Sequence, residues 1–387
     1  MIDDRYVEEG IRRGLRAIAP DQTPSYLLAE TLEQTREMAQ VSSNRAWRSV
    51  TSRSMPLAFV STGLVIAIVA VGLGFGFPRQ VPLDGPIGLT VGAVWLSDPT
   101  PEMTIERDPS DDRAFYWRVA MYDRIEAHRF SGSRAESVLL ATGVSLPQGS
   151  AQGLDRPNLR PFMFTVVPEP HTPPFVVSPG TLLTVDQPVR LATFGRDGDL
   201  AAISLQGDGA YTATARVPDG VIAEASELRA AGTTYPPELS ARYTAQENGT
   251  FGPNLQALRD EIVRTSASAA PYDLAERLVT VLRGGTYTYD TDLRDIDCGT
   301  MPTGECFAAT KHGYCEHFAM TMALVLRDLD VPTRVVMGFL PGDRTNPSTE
   351  IIRRQDAHTW VEVFFPGVGW VAFDPTPRGV PTQVPLP

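Results

Sequence analysis

The sequence predicts a chain of mixed helix and antiparallel strand, and three observations support this prediction. An uncharged apolar run from Met55 to Phe77 predicts one long helix. Short apolar runs broken by many Pro and Gly residues predict a β-rich segment over residues 78–244. Within residues 245–378, an apolar repeat at three- and four-residue steps and two strand-like stretches predict a helix followed by a hairpin.

The first 54 residues carry amphipathic patterns around Val7 to Ile18 and Leu27 to Met38, which predict helical structure. We interpret residues 1–54 as a stable tail, and a module that binds a partner is the alternative. The chain has 387 residues and 42% hydrophobic content, which is enough for two modest domains in addition to this tail and a membrane anchor.

The apolar run has the properties of a transmembrane helix. No charged residue occurs from Ser54 through Pro78, and Leu57 to Phe77 is close to the roughly 20 residues that cross a bilayer as a helix. A buried helix of a globular protein is the alternative, but such helices rarely lack polar residues over this length. A cleaved signal peptide is disfavoured because about 50 residues precede the run. We therefore predict a transmembrane helix over residues 55–77.

Basic residues flank this predicted helix unequally. Three arginines lie shortly before it and one follows within about 25 residues, namely Arg45, Arg48, Arg53 and Arg79. Because positive charge tends to stay on the cytoplasmic side, the asymmetry predicts a cytoplasmic N-terminus, with everything after Phe77 outside. The sequence thus predicts a single-pass protein of the cell membrane.

The β-rich segment of residues 78–244 contains apolar runs at Leu89 to Leu96, Phe162 to Val167 and Tyr211 to Val217. It lacks long helical periodicity, so we predict an extracytoplasmic β domain. A cluster of aspartates could bind Ca²⁺, although a solvated loop is the favoured interpretation: Asp84, Asp108, Asp111 and Asp112. No phosphate-binding glycine loop or dinucleotide motif is present, so we predict no metal and no cofactor.

The charge composition argues against one class of partner. The formal net charge is −12 and no Arg-rich block with interleaved aromatic residues occurs, so we predict no nucleic-acid partner. Lysine is nearly absent, because Lys311 is the only lysine among 34 basic residues. A GC-rich genome is the favoured explanation. Its consequence is that this chain can hardly be cross-linked to itself through lysine amines.

Three residues near the C-terminus have the types and order of a thiol nucleophile, its base and an acid that orients the base: Cys315, His358 and Asp374. The apolar repeat predicts a helix from Cys315 to Leu329, which puts the thiol at a helix N-terminus, where an anion is stabilised. His358 begins one strand-like stretch, and Asp374 follows another. Taken singly, a buried cysteine is more often a small hydrophobic residue, and an Asp-Pro is usually a turn.

The predicted hairpin does not bring the histidine and the aspartate directly together. Its turn residues predict a four-residue loop that pairs Phe365 with Trp370. This register places Asp374 opposite Val361 rather than opposite His358. We therefore expect a β-bulge or a strong strand tilt near the site.

Two further cysteines and two further histidines bear on the assignment. Cys298 and Cys306 are separated by seven residues in a loop with Gly and Pro, which predicts a small disulfide and leaves Cys315 as the odd cysteine. His317 lies two positions after Cys315 and therefore points to another side of the helix, whereas spacing does not exclude His312 as the base. A zinc site built from these residues is disfavoured because the cysteines lack CxxC spacing.

Local sequence around these residues resembles one family. The blocks that carry the resemblance are Gly313 to Ala319, Arg334 to Phe339, Asp356 to Val363 and Gly369 to Pro377. They are similar to successive blocks of the transglutaminase-like superfamily, whose members are papain-like cysteine enzymes. Upstream, Phe115 to Arg118 and Tyr235 to Leu239 are similar to the lead-in of bacterial membrane-anchored members.

The resemblance implies a fold, a site and a reaction. The fold is α+β, with the helix that carries the thiol packed on an antiparallel sheet. Cys315 is implied as nucleophile, His358 as general base and acid, and Asp374 as the acid that orients the histidine. The reaction is acyl transfer from a glutamine carboxamide or a peptide bond through a thioester, and either an amine or water resolves it.

Two alternatives to a transferase stay open. One is a cysteine protease or amidase of the same fold, and the other is a binding module of the cell envelope without catalytic activity. The predicted external orientation points to proteins or peptides of the cell envelope as substrates. Residues 379–387 follow the predicted catalytic domain as a short tail.

Overall fold

The computed structural model describes residues 88–91, 98–133, 135–146, 156–194, 199–207 and 209–377. The predicted tail at 1–54, the predicted transmembrane helix at 55–77 and the predicted C-terminal tail at 379–387 lie outside these ranges. Inside them, no helix has both the length and the apolar character that crossing a bilayer requires. The described residues all belong to one compact unit, Gly76–Pro387.

The architecture is α+β and its two larger sheets are antiparallel. The first half of the described chain is mostly strand, because short apolar runs alternate there with Pro and Gly. Its elements are β1 (Gly88–Thr90), β2 (Pro101–Arg107), β3 (Trp117–Tyr122), β4 (Arg124–Ile125), β5 (Arg129–Ser131), β6 (Ala135–Leu140), β7 (Leu159–Pro168), β8 (Thr181–Val185), β9 (Val189–Phe194), β10 (Asp199–Leu205), β11 (Tyr211–Pro218), α1 (Ala225–Ala230) and α2 (Pro237–Tyr243).

In the second half, helices alternate with strands along the chain. Helices α2, α3 and α4 each begin with proline, whose fixed φ suits the first helical position. The elements are α3 (Pro253–Thr265), α4 (Pro271–Arg283), β12 (Thr288–Tyr289), α5 (Thr303–Thr310), β13 (His312–Gly313), α6 (Cys315–Asp328), β14 (Thr333–Phe339), β15 (Asp343–Asn346), β16 (Thr349–Arg353), a 3₁₀ turn (Arg354–Asp356), β17 (Ala357–Phe365) and β18 (Gly369–Phe373).

A seven-stranded antiparallel sheet contains the strand that carries His358. Its strand order is β18-β17-β14-β3-β10-β9-β6. Strands β3, β6, β9 and β10 precede residue 244, whereas β14, β17 and β18 follow it. One sheet therefore contains strands from both sides of residue 244, the predicted boundary between the β-rich and the catalytic domain.

A six-stranded antiparallel sheet has the order β15-β16-β2-β7-β11-β8. Strand β7 shows how one face of this sheet is buried. Phe162, Phe164 and Val166 are buried, whereas Met163 and Val167 point to the other face and are exposed. The hairpin β15–β16 connects β14 to β17 along the chain, so this sheet also joins early and late residues.

Helix α6 is buried along almost its whole length. Phe318, Met322 and Val325 predict one apolar face, yet every residue from Cys315 through Arg327 is buried. The helix is enclosed because α3, α4 and α5 pack against it together with β14 and β17. This enclosure fixes the position of its first residue.

The turn that precedes β17 is fastened to the beginning of the six-stranded sheet. Arg354 lies 3.0 Å from a carboxylate oxygen of Asp98 and 2.7 Å from one of Glu102. The backbone N–H of Gln355 donates to the carbonyl oxygen of Asp98 at 2.8 Å. The entry into the strand of His358 is therefore fixed by residues more than 250 positions earlier in the chain.

Candidate active site

Cys315 is the first residue of α6, and it is fully buried. Tyr314 precedes it in an extended conformation (φ −118°, ψ −176°) and makes no capping hydrogen bond with its side chain. The thiol therefore lies where the N–H groups and the dipole of the first turn favour an anion. Gly313 has no left-handed φ. It is required by packing, because a Cβ there would lie 2.7 Å from His317 Cβ and from the Phe307 ring.

The other two cysteines form a disulfide. The Cα atoms of Cys298 and Cys306 are 5.6 Å apart. Cys306 lies within α5 rather than in a loop, so the bridge attaches the segment before α5 to a helix that packs on α6. Cys315 lies outside this disulfide and is the one cysteine of the chain that keeps its thiol.

His358 is the second residue of β17, and its side chain is fully buried. Its Nε2 lies 2.9 Å from Oδ2 of Asp374. Because an ionised carboxylate only accepts hydrogen bonds, Nε2 carries the proton of the neutral imidazole, and Nδ1 is the basic nitrogen. Nδ1 has no hydrogen-bond partner among the residues that the structure describes. Helix α6 packs against β17, so Cys315 and His358 belong to contacting elements.

The loop of the hairpin β17–β18 is one residue shorter than predicted. Phe365 pairs with Gly369 and not with Trp370, which leaves a three-residue loop. Gly367 (φ +76°) and Gly369 (φ +100°) both adopt left-handed backbone conformations. The predicted four-residue loop is therefore wrong, because two glycines permit a tighter turn than the turn residues alone suggested.

This one-residue difference decides where the aspartate points. Val361 pairs with Phe373, so Asp374 is the next residue and lies on the opposite face from Val361. That face is the one that His358 occupies, three residues before Val361. The pairing of β17 with β18 is continuous, so no bulge within this hairpin brings the two residues together. A register shift occurs instead between β14 and β3, beside Gly338, which pairs with His358.

The Asp374 carboxylate has several partners besides the histidine. The hydroxyl of Tyr116 donates to Oδ2 at 2.9 Å. A guanidinium nitrogen of Arg283 lies 3.6 Å from the same oxygen. The backbone N–H of Thr376 donates to Oδ1 at 2.9 Å. Both oxygens of this buried carboxylate are thus engaged.

These contacts keep Asp374 ionised. Burial alone would raise the pKa of Asp374, but the charge of His358 when it is protonated, its hydrogen bond, the Thr376 N–H and the charge of Arg283 together lower this pKa to about 2. Burial and the adjacent carboxylate raise the pKa of Tyr116 well above its usual range, so its hydroxyl stays protonated and acts as a donor. The arrangement can stabilise an imidazolium on His358.

The two competing histidines have other neighbours. His317 is buried with its ring 4.5 Å from the Tyr314 ring, and burial lowers the pKa of His317 to about 3, so it is neutral. The ring Nδ1 of His312 lies 3.5 Å from a carboxylate oxygen of Asp290. The Asp374 carboxylate contacts His358, whereas His317 and His312 have these other neighbours.

Two aspartates of the candidate Ca²⁺ site, Asp108 and Asp111, form hydrogen bonds with residues close to them in the sequence. Asp108 accepts hydrogen bonds from the backbone and side chain of Ser110, and Asp111 pairs with Arg113. Asp84 lies outside the described ranges. Over the part of the chain with described coordinates, no group of three or more His, Cys, Asp or Glu residues could hold a metal ion.

Two residues of the site were not predicted. Tyr116 and Arg283 both contact Asp374, one from the segment before β3 and one from the end of α4. Tyr116 belongs to the block Phe115 to Arg118 that resembles the family, but no chemistry of its own marks it in the sequence. Tyr116 and Asp374 are 258 positions apart in the sequence, so only the folded structure shows their contact.

A family model described as the transglutaminase-like superfamily matches residues 256–375. The uncharacterised protein YebA of Bacillus subtilis is 30% identical over 210 residues, which are 49% of this chain and 27% of that protein. A protein-glutamine gamma-glutamyltransferase of Pseudomonas aeruginosa is 33% identical over 134 residues, which are 34% of this chain and 19% of that enzyme. The chain thus spans about a quarter or less of the length of these two relatives.

Among solved structures, the periplasmic domain of TgpA from Pseudomonas aeruginosa has a similar fold. The TM-score is 0.52 at 21% identity, over 72% of this chain and 88% of that domain. The similarity to that domain therefore covers more of this chain than the residues that the family model matches. Residues 256–375 of this chain therefore form a transglutaminase-like domain.

Proposed function

We propose that this chain is a cysteine enzyme that transfers an acyl group through a thioester on Cys315. The observation that carries the proposal is the buried pair of His358 and Asp374. The pair leaves Nδ1 of the imidazole without a partner among the described residues, on a strand that contacts the helix of Cys315. A thiol, a base and an orienting acid are the groups that nucleophilic catalysis by cysteine needs.

The first half of the reaction forms the thioester. Nδ1 of His358 takes the thiol proton, and the Cys315 thiolate attacks the carbonyl carbon of a glutamine carboxamide. The C–N bond breaks, and the imidazolium returns the proton to the nitrogen, which leaves as ammonia. Asp374 stabilises the imidazolium between these two proton transfers. The N–H groups of the first turn of α6 favour the negative charge that develops on the carbonyl oxygen.

The second half resolves the thioester. A primary amine attacks the thioester carbon while Nδ1 of His358 takes its proton, and the C–S bond breaks. The sulfur of Cys315 receives the proton, and a new amide is released. Lys311 is the only lysine of this chain, so an acceptor lysine has to come from another molecule.

The proposed setting is the outer side of a membrane. The uncharged run at 55–77 and the arginines before it support a single-pass anchor with a cytoplasmic N-terminus. The disulfide between Cys298 and Cys306 suits an oxidising compartment. Residues 245–378 would then act as the catalytic part, with residues 78–244 as a β-rich companion on the same side. Proteins or peptides of the cell envelope are the proposed substrates.

The test uses the purified full chain with a glutamine-containing protein and a labelled primary amine, and a Cys315→Ala variant as control. Incorporation of the amine that depends on Cys315 supports the transferase. Release of ammonia without incorporation, or new peptide termini, would replace the transferase by a hydrolase. Absence of any Cys315-dependent product would contradict an enzyme and favour a binding module of the cell envelope.

A further inference from the structure

Tyr116 reaches the candidate site from outside the residues that the family model matches. It immediately precedes β3, and it is 2% exposed. Its hydroxyl donates to Oδ2 of Asp374 at 2.9 Å, and the same oxygen lies 2.9 Å from Nε2 of His358. Oδ2 of Asp374 therefore accepts two hydrogen bonds of equal length. One donor, Tyr116, precedes residue 244 in the sequence, and the other, His358, follows it.

The approach of β3 to β14 explains how Tyr116 comes so close. Gly338 of β14 pairs with Arg118 on one side and with His358 on the other. A Cβ at Gly338 would lie 2.0 Å from the carbonyl oxygen of Trp117, so the two strands are closer here than any side chain allows. This close approach places Tyr116, the residue before Trp117, next to His358.

The ring of Tyr116 is fixed independently of its hydroxyl. Its centroid lies 5.1 Å from that of Trp360 and 6.1 Å from that of His358. A phenylalanine at this position would keep these ring contacts and lose only the hydrogen bond. Removal of the hydroxyl therefore changes the hydrogen bonding of Asp374 and leaves the ring packing as it is.

We propose that Tyr116 is a positioning residue, whose hydroxyl holds the Asp374 carboxylate in the orientation that directs Nδ1 of His358 toward the thiol. The strand-rich segment before residue 244 therefore completes the active site. This inference rests on the proposed roles of Cys315, His358 and Asp374. It extends them by making the site depend on a residue outside 256–375.

The reason is the geometry of the carboxylate. An in-plane carboxylate oxygen accepts two strong hydrogen bonds, and on Oδ2 these come from Tyr116 and His358. Without the hydroxyl, Oδ2 is left with His358 and with Arg283, whose nitrogen lies 3.6 Å away. Oδ1 keeps its hydrogen bond from the Thr376 N–H, but the carboxylate can turn about this contact so that Oδ2 moves toward the guanidinium and carries Nε2 of the imidazole with it. The charge of Asp374 persists, but the direction of Nδ1 is no longer fixed.

The experiment measures alkylation of Cys315 by iodoacetamide in the full chain, between about pH 5 and pH 9, because labelling reports the thiolate without any substrate. Tyr116→Phe is expected to slow labelling near neutral pH by about ten- to a hundredfold, the typical value of a hydrogen bond to a charged group. The rate should then rise toward the pH range of an ordinary thiol, about 8.5. Tyr211→Phe is the matched control, because its buried hydroxyl accepts a hydrogen bond from the Val177 N–H instead.

A second variant separates positioning from a merely structural role. In an Asp374→Asn background, Tyr116→Phe should change the labelling rate less than twofold, because its effect passes through the carboxylate. An equal loss with and without the carboxylate would overturn the inference. So would equal losses in Tyr116→Phe and Tyr211→Phe, or a normal rate in Tyr116→Phe.

The outcome is distinguishable from failure of the proposed reaction. If no amine is incorporated but labelling depends on Tyr116 through Asp374, the inference stands and the transferase fails. If His358→Ala labels like the unchanged protein, both fail together. Thermal unfolding of each variant shows whether it is folded. If Tyr116→Phe is unfolded, Tyr116→Met replaces it in the same comparison, since methionine also fills an apolar space and lacks the donor to Asp374.

Discussion

Oδ2 of Asp374 lies 2.9 Å from Nε2 of His358, although the two residues are not paired across β17 and β18. The last strand pair before them is Val361 with Phe373, so Asp374 has already left the ladder. Side chains and one backbone N–H hold the carboxylate, and the sheet does not. Its partners can therefore be changed individually without disrupting strand pairing.

The first prediction concerns the charge of this carboxylate. In Asp374→Asn, the amide can donate to Nε2 of His358, which moves the imidazole proton to Nδ1 and removes the base. Activity should fall by about 10³- to 10⁴-fold, the scale known for loss of an orienting carboxylate. Initial rates of amine incorporation at saturating substrate are the measurement. Asp123→Asn is the control, since Asp123 is also buried but accepts from Ser133. A loss below tenfold, or equal losses in both variants, would contradict the assignment.

The parts that sequence predicted are those that depend on local patterns. Helix α6 was predicted over Cys315 to Leu329 and spans Cys315–Asp328, because its apolar repeat and its glycine-preceded start are both encoded within a few residues. Strand β17 was predicted from His358 and begins one residue earlier. Local propensity sufficed to identify the helix of Cys315 and the strand of His358.

The parts that sequence missed depend on one-residue registers and on distant pairing. Nothing local shows that Gly367 and Gly369 both take left-handed conformations, yet this shortens the loop and puts Asp374 on the face of His358. The contact of Tyr116 with Asp374 spans 258 positions and depends on β3 joining β14. Such long-range pairing leaves no periodic signal in a single sequence.

The second prediction concerns a buried ion network next to the site strand. Glu362 of β17 is fully buried and pairs with Arg334 at 2.6 Å and with Arg118 at 2.7 Å. Glu362→Ala would leave the buried Arg334 and the half-buried Arg118 without their anion, which should lower the free energy of unfolding by about 3–5 kcal/mol. Urea unfolding followed by circular dichroism is the measurement.

The exposed pair of Glu227 with Arg156 provides the matched control for Glu362. The Glu227 side chain is 46% exposed, so Glu227→Ala should cost no more than about 1 kcal/mol. If the two alanine variants lose equal stability, the buried network does not have the role described.

The third prediction concerns stability and pH through Glu316, the residue after the cysteine. Burial raises the pKa of Glu316 to about 8, against the lowering effect of a hydrogen bond with Tyr314. A carboxyl with a raised folded-state pKa contributes its full stability below the unfolded value of 4.5, and this contribution is lost as pH rises to about 8. At about 1.4 kcal/mol per pKa unit, the loss amounts to a few kcal/mol.

Glu316→Gln should remove this dependence, because an amide does not ionise. The unfolding free energy of the variant relative to the unchanged protein should therefore rise by a few kcal/mol between pH 5 and pH 8, as measured by urea titrations at both values. The same substitution at exposed Glu238 should leave stability within about 0.5 kcal/mol at either pH. A constant difference between Glu316→Gln and the unchanged protein would show that Glu316 is not held neutral.

The last prediction concerns Gly338, which lies between the segment of Tyr116 and the strand of His358. A Cβ at this position would lie 2.0 Å from the Trp117 carbonyl oxygen and 2.9 Å from the Trp360 ring. The backbone cannot move aside as a flexible side chain could, so Gly338→Ala has to push β3 away from β14. We expect a loss of about 2–3 kcal/mol in the free energy of unfolding, typical of overpacking in a core.

Because the displaced strand leads directly to Tyr116, Gly338→Ala should also slow alkylation of Cys315 under conditions where the variant is folded. Gly207→Ala is the matched control. Its added Cβ would meet only a side-chain oxygen of Gln187 at 3.7 Å, which is an ordinary contact. Gly207→Ala should therefore change stability by less than about 0.5 kcal/mol and leave the labelling rate as it is. Normal labelling of Cys315 in folded Gly338→Ala would mean that the close approach of β3 and β14 supports the fold without serving the active site.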